Sequence, residues 1–375
     1  MAAKRLIILG STGSIGTSTL SVVEAHQNLF RVVGLHAHTK KDELVRIGKS
    51  LGVKHLALSA LPGPCEDVQY CGEDGLLSMI SELDADIVVN GIAGAKGLMP
   101  SVAAIESGKD LALANKETIV MAGGLIRELS ARKNVEIIPV DSEHAAVFSL
   151  RERIPMQNIT EVVLTASGGA FRELPIKRLS TVKWQDALAH PTWEMGTKIT
   201  IDSATMANKG LEIIEACELF QITEDRVRVL IHPQSCVHAM VSTIDGNMYA
   251  QLSQPDMRIP IQNALTYPAA ANYMFDRLNL AGMNLSFQNP DANRYPCLGL
   301  ARLAARSGGA YSIVYNAANE VAVQAFINGK IGFLDIPSII KNCLDASWDN
   351  LLVSFEHVLD QDQKARKYAK TFAMV

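Results

Sequence analysis

Two carboxylates, a hydroxyl and an imidazole stand together in Pro139-Val140-Asp141-Ser142-Glu143-His144, after the apolar run 135–138 and before a helical pattern that starts at Ala145. If Asp141 and Glu143 lie in extended backbone, the two-residue period of a strand puts both on one face. Two hard oxygen donors on one face suit Mg²⁺ or Mn²⁺. The same residues also suit a helix start, with Asp141 or Ser142 as the cap and Glu143 near the positive end. Both uses are open at this point.

Three other groups can do chemistry. Gly10-Ser11-Thr12-Gly13-Ser14-Ile15-Gly16 follows the apolar run 5–9 and precedes a helical pattern at 17–25. A strand, a glycine turn and a helix in that order let backbone N–H groups approach a pyrophosphate at the positive helix end. The spacing is G-x-x-G-x-x-G, so the position after the first strand matters more than the glycines alone. The next apolar run, 31–35, leads into His36-Ala37-His38-Thr39-Lys40-Lys41, where a NAD-selective site would place an acid for the ribose 2′-hydroxyl. A basic, hydroxylic loop there favours the 2′-phosphate of NADP(H). Further on, Asn208 and Glu212 are four residues apart on one helical face, with Lys209 beside them.

The elements that must carry these groups follow from the alternation of apolar runs and helical patterns. Runs at 5–9, 31–35, 55–58, 86–90, 111–114 and 135–140 read as six strands interleaved with helices, a doubly wound parallel sheet. The ends Asn90 to Gly94 and Asn115-Lys116-Glu117 then face the same crevice as the glycine turn. Near residue 150 the pattern changes. Strands are expected at 159–165, 198–201, 227–231, 237–243 and 248–252, with a helix over 202–220, giving an α+β region with a largely antiparallel sheet. Between the first two lie the loop Ala166-Ser167-Gly168-Gly169 and a stretch from His190 to Gly196 whose Trp193, between Pro and Gly, suits a mobile lid or, equally, a loop anchored in the core. Beyond residue 290 the chain is helical at 298–307, 312–328, 336–347 and 354–370, and the polar Asn316 to Glu320 is expected to make interhelical hydrogen bonds. The expected fold is therefore α/β in class, with an N-terminal doubly wound, Rossmann-like domain (1–149), a central α+β catalytic domain (150–285) and a C-terminal helical domain (286–375).

Composition narrows the functional classes. The chain has 375 residues, 48% of them hydrophobic and 20% charged, with a net charge of −4. That is the profile of a globular protein with more than one core, and no long basic block speaks for nucleic acid. No apolar run approaches a membrane span, and the first residues lead straight into a strand pattern, so neither membrane insertion nor a targeting peptide is expected. The six cysteines are scattered without a C-x-x-C pair, as in a cytoplasmic protein with reduced thiols.

Taken together, these motifs resemble the 1-deoxy-D-xylulose 5-phosphate reductoisomerase family over nearly the whole chain. The resemblance rests on Gly10 to Gly16, Ala114 to Glu117, Asp141 to His144, Ser167 to Gly169, His190 to Gly196, Asp202 to Thr205, Asn208 to Glu212 and Asn316 to Glu320. It implies that Asp141, Glu143 and Glu212 bind one divalent metal (Mg²⁺, Mn²⁺ or Co²⁺). Ser167, Ser203, Asn208 and Lys209 would hold the substrate phosphate, His190 would help to anchor the substrate, and Trp193 and Met195 would belong to the lid. Lys116 and Ser142 would lie beside the substrate, and Asp141, Glu143, Glu212 and Lys116 would be the catalytic set. NADPH would meet Ser11, Thr12, Gly13, Ser14, Ile15, His38, Lys40, Asn115, Glu117 and Gly196. Where the family more often has a small residue, a variable one and Asn, this chain has His38-Thr39-Lys40, so the contact to the 2′-phosphate is open among residues 38–41. A homodimer is implied as well.

The implied reaction turns 1-deoxy-D-xylulose 5-phosphate into 2-C-methyl-D-erythritol 4-phosphate, a step towards isoprenoid precursors by the non-mevalonate route. A metal polarises the ketone during the skeletal rearrangement, and NADPH then reduces the resulting aldehyde. Retroaldol–aldol and α-ketol routes both suit these residue types. Two rivals share only part of this pattern. Another two-domain NADP dehydrogenase would need no metal, and a non-catalytic NADP-binding sensor gives no reason for the acids at 141, 143 and 212.

Overall fold

The computed structural model describes residues 3–61, 63, 65–187 and 196–373. They form two compact units, one made of 3–118, 126–148 and 256–276, the other of 119–125, 149–255 and 277–373.

The first unit is built on seven strands, β1 (Lys4–Leu9), β2 (Phe30–Ala37), β3 (His55–Leu58), β4 (Tyr70–Cys71), β5 (Ile87–Asn90), β6 (Asp110–Leu113) and β7 (Ile137–Pro139). Their order is β4-β3-β2-β1-β5-β6-β7, with every neighbouring pair parallel. The strand order reverses between β1 and β5, the switch point at which open α/β sheets bind ligands beyond their carboxyl ends. Strands β1 and β5 are apolar on both faces, with Leu6 to Leu9 and Ile87 to Val89 almost fully enclosed, because helices cover both sides of the sheet. The two-residue β4 is an addition to the six expected strands. Too short to show a period, it is held by pairing with β3.

The helix Arg258–Thr266 comes from far along the chain, yet it packs against the helix Ser14–Ala25 and against β6 and β7. Polar ties hold it there. Lys4 Nζ donates to the carbonyls of Leu265 (3.1 Å) and Tyr267 (2.8 Å), and His26 Nε2 lies 2.9 Å from Gln262 Oε1. The expected division at 149 and 285 is corrected on this point, since 256–276 belongs with the first unit and 277–373 with the second. Local pattern carries no sign of a return of this kind, which is decided by tertiary packing.

The second unit holds a four-stranded sheet of β8 (Ile159–Ala166), β9 (Val227–Ile231), β10 (Val237–Thr243) and β11 (Met248–Leu252) in the order β11-β10-β8-β9. β10 runs antiparallel to both its neighbours, whereas β8 and β9 are parallel. Its helical part is centred on Tyr311–Ile327, which is buried along most of its length and packs on Pro296–Ser307, Asp335–Leu344 and Phe355–Phe372. Residues 198–201, expected as a strand, are instead helical, within Thr197–Thr205. The β-branched run Thr197, Ile199, Thr200, Ile201 reads as a strand, but no strand lies beside it. The helix is fastened by Thr200 Oγ1 donating to the Gly196 carbonyl (3.0 Å) and by a Lys198–Asp202 pair one turn apart (2.8 Å). A left-handed Met206 (φ +56°) ends it, and a second helix, Ala207–Phe220, follows directly.

Candidate active site

In the first unit the glycine turn leaves β1 at the switch point. Gly10 has φ +75°, and a Cβ there would lie 2.8 Å from the Gly91 carbonyl oxygen, so only glycine lets the loops after β1 and β5 meet. Ser14 and Ile15 open the helix Ser14–Ala25, whose first N–H groups need partners, while Gly13 and Ser14 are exposed to receive one. Ser11 is turned inward, its Oγ donating to the His36 carbonyl (3.0 Å). Thr12 offers its carbonyl to Lys40 Nζ (3.4 Å), which also pairs with Glu43 (3.1 Å). The turn and the loop after β2 are thus tied together. His36 was not among the expected contacts. Its Nδ1 accepts from the Gly10 N–H (3.2 Å), and burial, with His38 nearby, pushes its pKa down to about 3.

The ends of β5 and β6 carry amides that brace loops. Asn90 Nδ2 donates to the Gly97 carbonyl (2.9 Å) and to Ser101 Oγ (2.7 Å). Asn115 caps the helix Lys116–Lys133 by accepting from Thr118 N (2.9 Å), and its Nδ2 reaches the Ile92 and Gly94 carbonyls and Glu117 Oε2. An amide engaged on this many sides fixes the loop 92–94 and, through it, the floor of the crevice.

Asp141 and Glu143 are not neighbours on a strand face. β7 stops at Pro139, the helix Ser142–Arg151 begins three residues earlier than expected, and Ala145 N donates to the Asp141 carbonyl (2.8 Å), which makes Asp141 the cap. The acids therefore flank a helix start at the sheet's carboxyl edge. Lys116 Nζ lies 2.7 Å from Asp141 Oδ2, and His144 Nδ1 lies 3.5 Å from the same oxygen. Burial opposes the charge of Asp141, but Lys116 and His144 overcome it and hold its carboxyl well below the usual range. Ser142 Oγ donates to Glu143 Oε2 (2.6 Å).

In the second unit, Ser167 lies at the end of β8, and Gly168 and Gly169 follow with φ of +89° and +71°. A Cβ on Gly169 would stand 2.6 Å from Ser203 O and Ala204 Cα, so glycine is what lets this loop rest on the helix that carries Ser203. The loop is pinned by Tyr295 Oη donating to the Gly168 carbonyl (2.8 Å), by Arg172 Nη1 on the Ser167 carbonyl (2.7 Å) and by Arg294 Nη1 on the Phe171 and Leu174 carbonyls. Asn208, Lys209 and Glu212 sit in the first turns of the next helix. Asn208 Nδ2 donates to Glu212 Oε1 (2.6 Å), and Lys209 is ion-paired with Glu212. Lys209 is 4% exposed and Glu212 1%, a buried ion pair. Hydroxyls, an amide, an ammonium and a helix start in one unit can bind a phosphate, and Glu212 adds a hard oxygen donor.

Asp202 was also missed. Almost fully buried, it accepts from Lys198 (2.8 Å) and from Asn319 Nδ2 (2.8 Å), and so holds the turn that presents Ser203. The four-residue spacing of Lys198 and Asp202 is its signal once the segment is read as helix. Asn319 makes the interhelical bond expected of its motif, while Asn316 bonds within its own helix to Glu320 (3.3 Å). His190, Trp193 and Met195 lie outside the described residues. Gly196, just after them, precedes the helix Thr197–Thr205, with no atom of the described residues within 4 Å of where a Cβ would be.

Comparisons with known proteins identify the family. Residues 6–123 match the family description 1-deoxy-D-xylulose 5-phosphate reductoisomerase, 137–220 its C-terminal domain, and 252–368 the DXP reductoisomerase C-terminal domain. The chain is 46% identical to the 1-deoxy-D-xylulose 5-phosphate reductoisomerase of Trichlorobacter lovleyi, covering 98% of this chain and 97% of that one. It is 44% identical to the chloroplastic enzyme of Mentha piperita, over 98% of this chain and 82% of the other. A solved DOX-P reductoisomerase in complex with NADPH, fosmidomycin and magnesium superposes with a TM-score of 0.92 at 38% identity, covering 99% and 98% of the two chains. The Zymomonas mobilis enzyme in complex with NADPH gives 0.90 at 38%, covering 99% of each. With relatives matched from end to end at this identity, the chain belongs to the 1-deoxy-D-xylulose 5-phosphate reductoisomerase family.

Proposed function

We propose that this protein converts 1-deoxy-D-xylulose 5-phosphate into 2-C-methyl-D-erythritol 4-phosphate, using NADPH and a divalent metal, and that the residues described above carry the reaction. The observation that carries the reading is Asp141, a carboxylate held ionised by Lys116 at the carboxyl edge of the sheet that bears the glycine turn. A half-buried hard donor beside cationic groups fits a divalent ion, and the exposed turn at a helix start fits a pyrophosphate. When bound, the ion supplies Lewis acidity for the rearrangement and NADPH supplies the hydride for the reduction.

Asp141, Glu143 and Glu212 are the proposed metal ligands. Lys116 neutralises Asp141 until a cation arrives and then serves as proton donor to a substrate oxygen, with Ser142 orienting the substrate hydroxyls. Ser167, Ser203, Asn208 and Lys209 grip the phosphate, remote from the bonds that change, so that binding energy there orients the reacting carbons. His190, Trp193 and Met195 are proposed substrate contacts, while Ser11, Thr12, Gly13, Ser14, Ile15, Asn115, Glu117 and Gly196 surround the dinucleotide, with His38 and Lys40 at its adenosine end.

Magnesium is the proposed ion, and the same oxygen donors accept manganese or cobalt. The protein is proposed to work in the cytoplasm, in isoprenoid precursor synthesis, as a homodimer. The unpaired edge of β11 supports the dimer, because it exposes Met248 and Tyr249 near Ile244, a surface suited to a second copy. Among the described residues, no helix is long and apolar enough to cross a membrane.

The test is NADPH oxidation on adding 1-deoxy-D-xylulose 5-phosphate, with Mg²⁺ or with EDTA. Turnover only when substrate and metal are both present is expected. Equal rates in EDTA would refute the metal reading, and no oxidation under any condition would refute the function.

A further inference from the structure

The structure fixes a chain of hydrogen bonds that starts at the glycine turn and ends at the loop after β2. The Gly10 N–H can only donate, so Nδ1 of His36, 3.2 Å away, is a lone pair. His36 is 2% exposed and neutral, so its one ring proton sits on Nε2, 3.0 Å from Ser59 Oγ. Ser59 Oγ accepts that bond and lies 2.9 Å from Nδ1 of His38, so its own hydrogen can be given to that nitrogen. One backbone N–H thus sets the tautomer of His36, and a serine at the end of a third strand joins that ring to His38.

The backbone reinforces the arrangement. Ser59 N donates to the Ala37 carbonyl (3.2 Å) and Ala60 N to the His38 carbonyl (3.0 Å), so the segment after β3 is laced to the loop that holds His38. His38, Thr39 and Lys40 are exposed, and Lys40 bridges Glu43 and the carbonyl of Thr12. The end of the second strand of such a sheet is where the adenosine ribose is read, by an acid when the 2′ position is a hydroxyl. Here that place offers an imidazole and an ammonium, groups that suit an acceptor-only dianion.

We propose that Ser59 is a positioning residue for cofactor choice: it holds His38 with Nε2–H as donor, and His38 and Lys40 together bind the 2′-phosphate of NADP(H). The proposal rests on the NADP(H) reading above and deepens it. Ser59 itself touches no cofactor atom and acts through the ring of His38.

The experiment is calorimetric titration of the full chain with NADPH and with NADH, in the absence of substrate. The wild type binds NADPH more tightly. Ser59→Ala is expected to reduce the NADPH-to-NADH affinity ratio about tenfold, the effect of one hydrogen bond to a charged group, with NADH affinity unchanged. Ser59→Thr, which keeps the hydroxyl, restores the ratio, and in a His38→Ala background Ser59→Ala has no further effect. Nitrogen-15 NMR of His38 reports the Nε2–H tautomer in the wild type and its loss in Ser59→Ala. Equal weakening of both nucleotides, an unchanged ratio, or an effect that persists without His38 overturns the relay while the wild-type preference stands. A wild type without preference overturns the NADP(H) reading as well.

Discussion

Gly169→Ala is the sharpest test of the proposed phosphate site. At φ +71° an alanine pays about 1–2 kcal/mol for the left-handed backbone. Its Cβ would also stand 2.6 Å from Ser203 O and Ala204 Cα, whereas ordinary contact begins at 3.4 Å. The two backbones must part by the difference, 3.4 less 2.6, roughly 0.8 Å, or absorb an overpacking cost of about 1–3 kcal/mol. The loop cannot retreat freely, because Tyr295, Arg172 and Arg294 pin its carbonyls. Ser167 and Ser203 are therefore pushed apart. Misplacement on the 1 Å scale costs up to ~10²-fold in an oriented reaction, so KM for 1-deoxy-D-xylulose 5-phosphate should rise about 10–100-fold. Initial-rate kinetics measure this, and calorimetry should show NADPH affinity within about twofold of wild type. Gly124→Ala is the control, since its Cβ would meet nothing within 4 Å and its φ is negative. A Gly169→Ala enzyme with wild-type KM would show that these two serines do not share one phosphate.

Glu212→Gln should abolish turnover while leaving NADPH binding intact, and near-native activity would remove Glu212 from the metal site. Lys209→Ala should raise KM for the substrate by about tenfold or more with little change for NADPH; equal effects on both would argue against a phosphate contact. Asn319→Leu strips the buried Asp202 carboxylate of one donor and should cost roughly 2–3 kcal/mol in urea unfolding, a loss that a neutral result would contradict. His36 supplies a pH dependence. Its folded pKa, about 3, lies below the ordinary imidazole value, so the unfolded chain takes up the proton first. Stability from this group is complete above about pH 6.5 and declines as pH falls towards 3. Urea midpoints at pH 7.5 and 5 should differ less in His36→Gln than in wild type.

Much of the first unit could be read from the chain because parallel strands buried on both faces leave unbroken apolar runs, and the glycine turn marks the switch point. What escaped had physical causes. β4 is too short to show a period, and Thr197 to Ile201 carries β-branched residues that tertiary contacts hold in a helix. Asp141 and Glu143 lay next to a strand, yet the cap at Asp141 started the helix before the strand period could apply. The proposed site positions Asp141, Glu143, Asn208, Lys209 and Glu212 were visible as charged or polar residues at or soon after element starts. Asp202 was not, because the segment before it reads as a strand and hides its spacing from Lys198, and His36 and Ser59 were not, since their partners lie 21 to 26 residues away.

The return of Asp256–Asp276 to the first unit has a consequence for synthesis. The seven-stranded sheet is complete in sequence by Pro139, yet the helix that covers the flank of β6 and β7 is encoded more than a hundred residues later. At a translation rate of about 5–20 residues per second, that flank waits for roughly 6–25 s on the ribosome with its apolar side chains bare. The nascent sheet is thus a client for chaperones during that interval, and a gene fragment ending near residue 150 would yield an aggregating product instead of a free-standing nucleotide-binding domain.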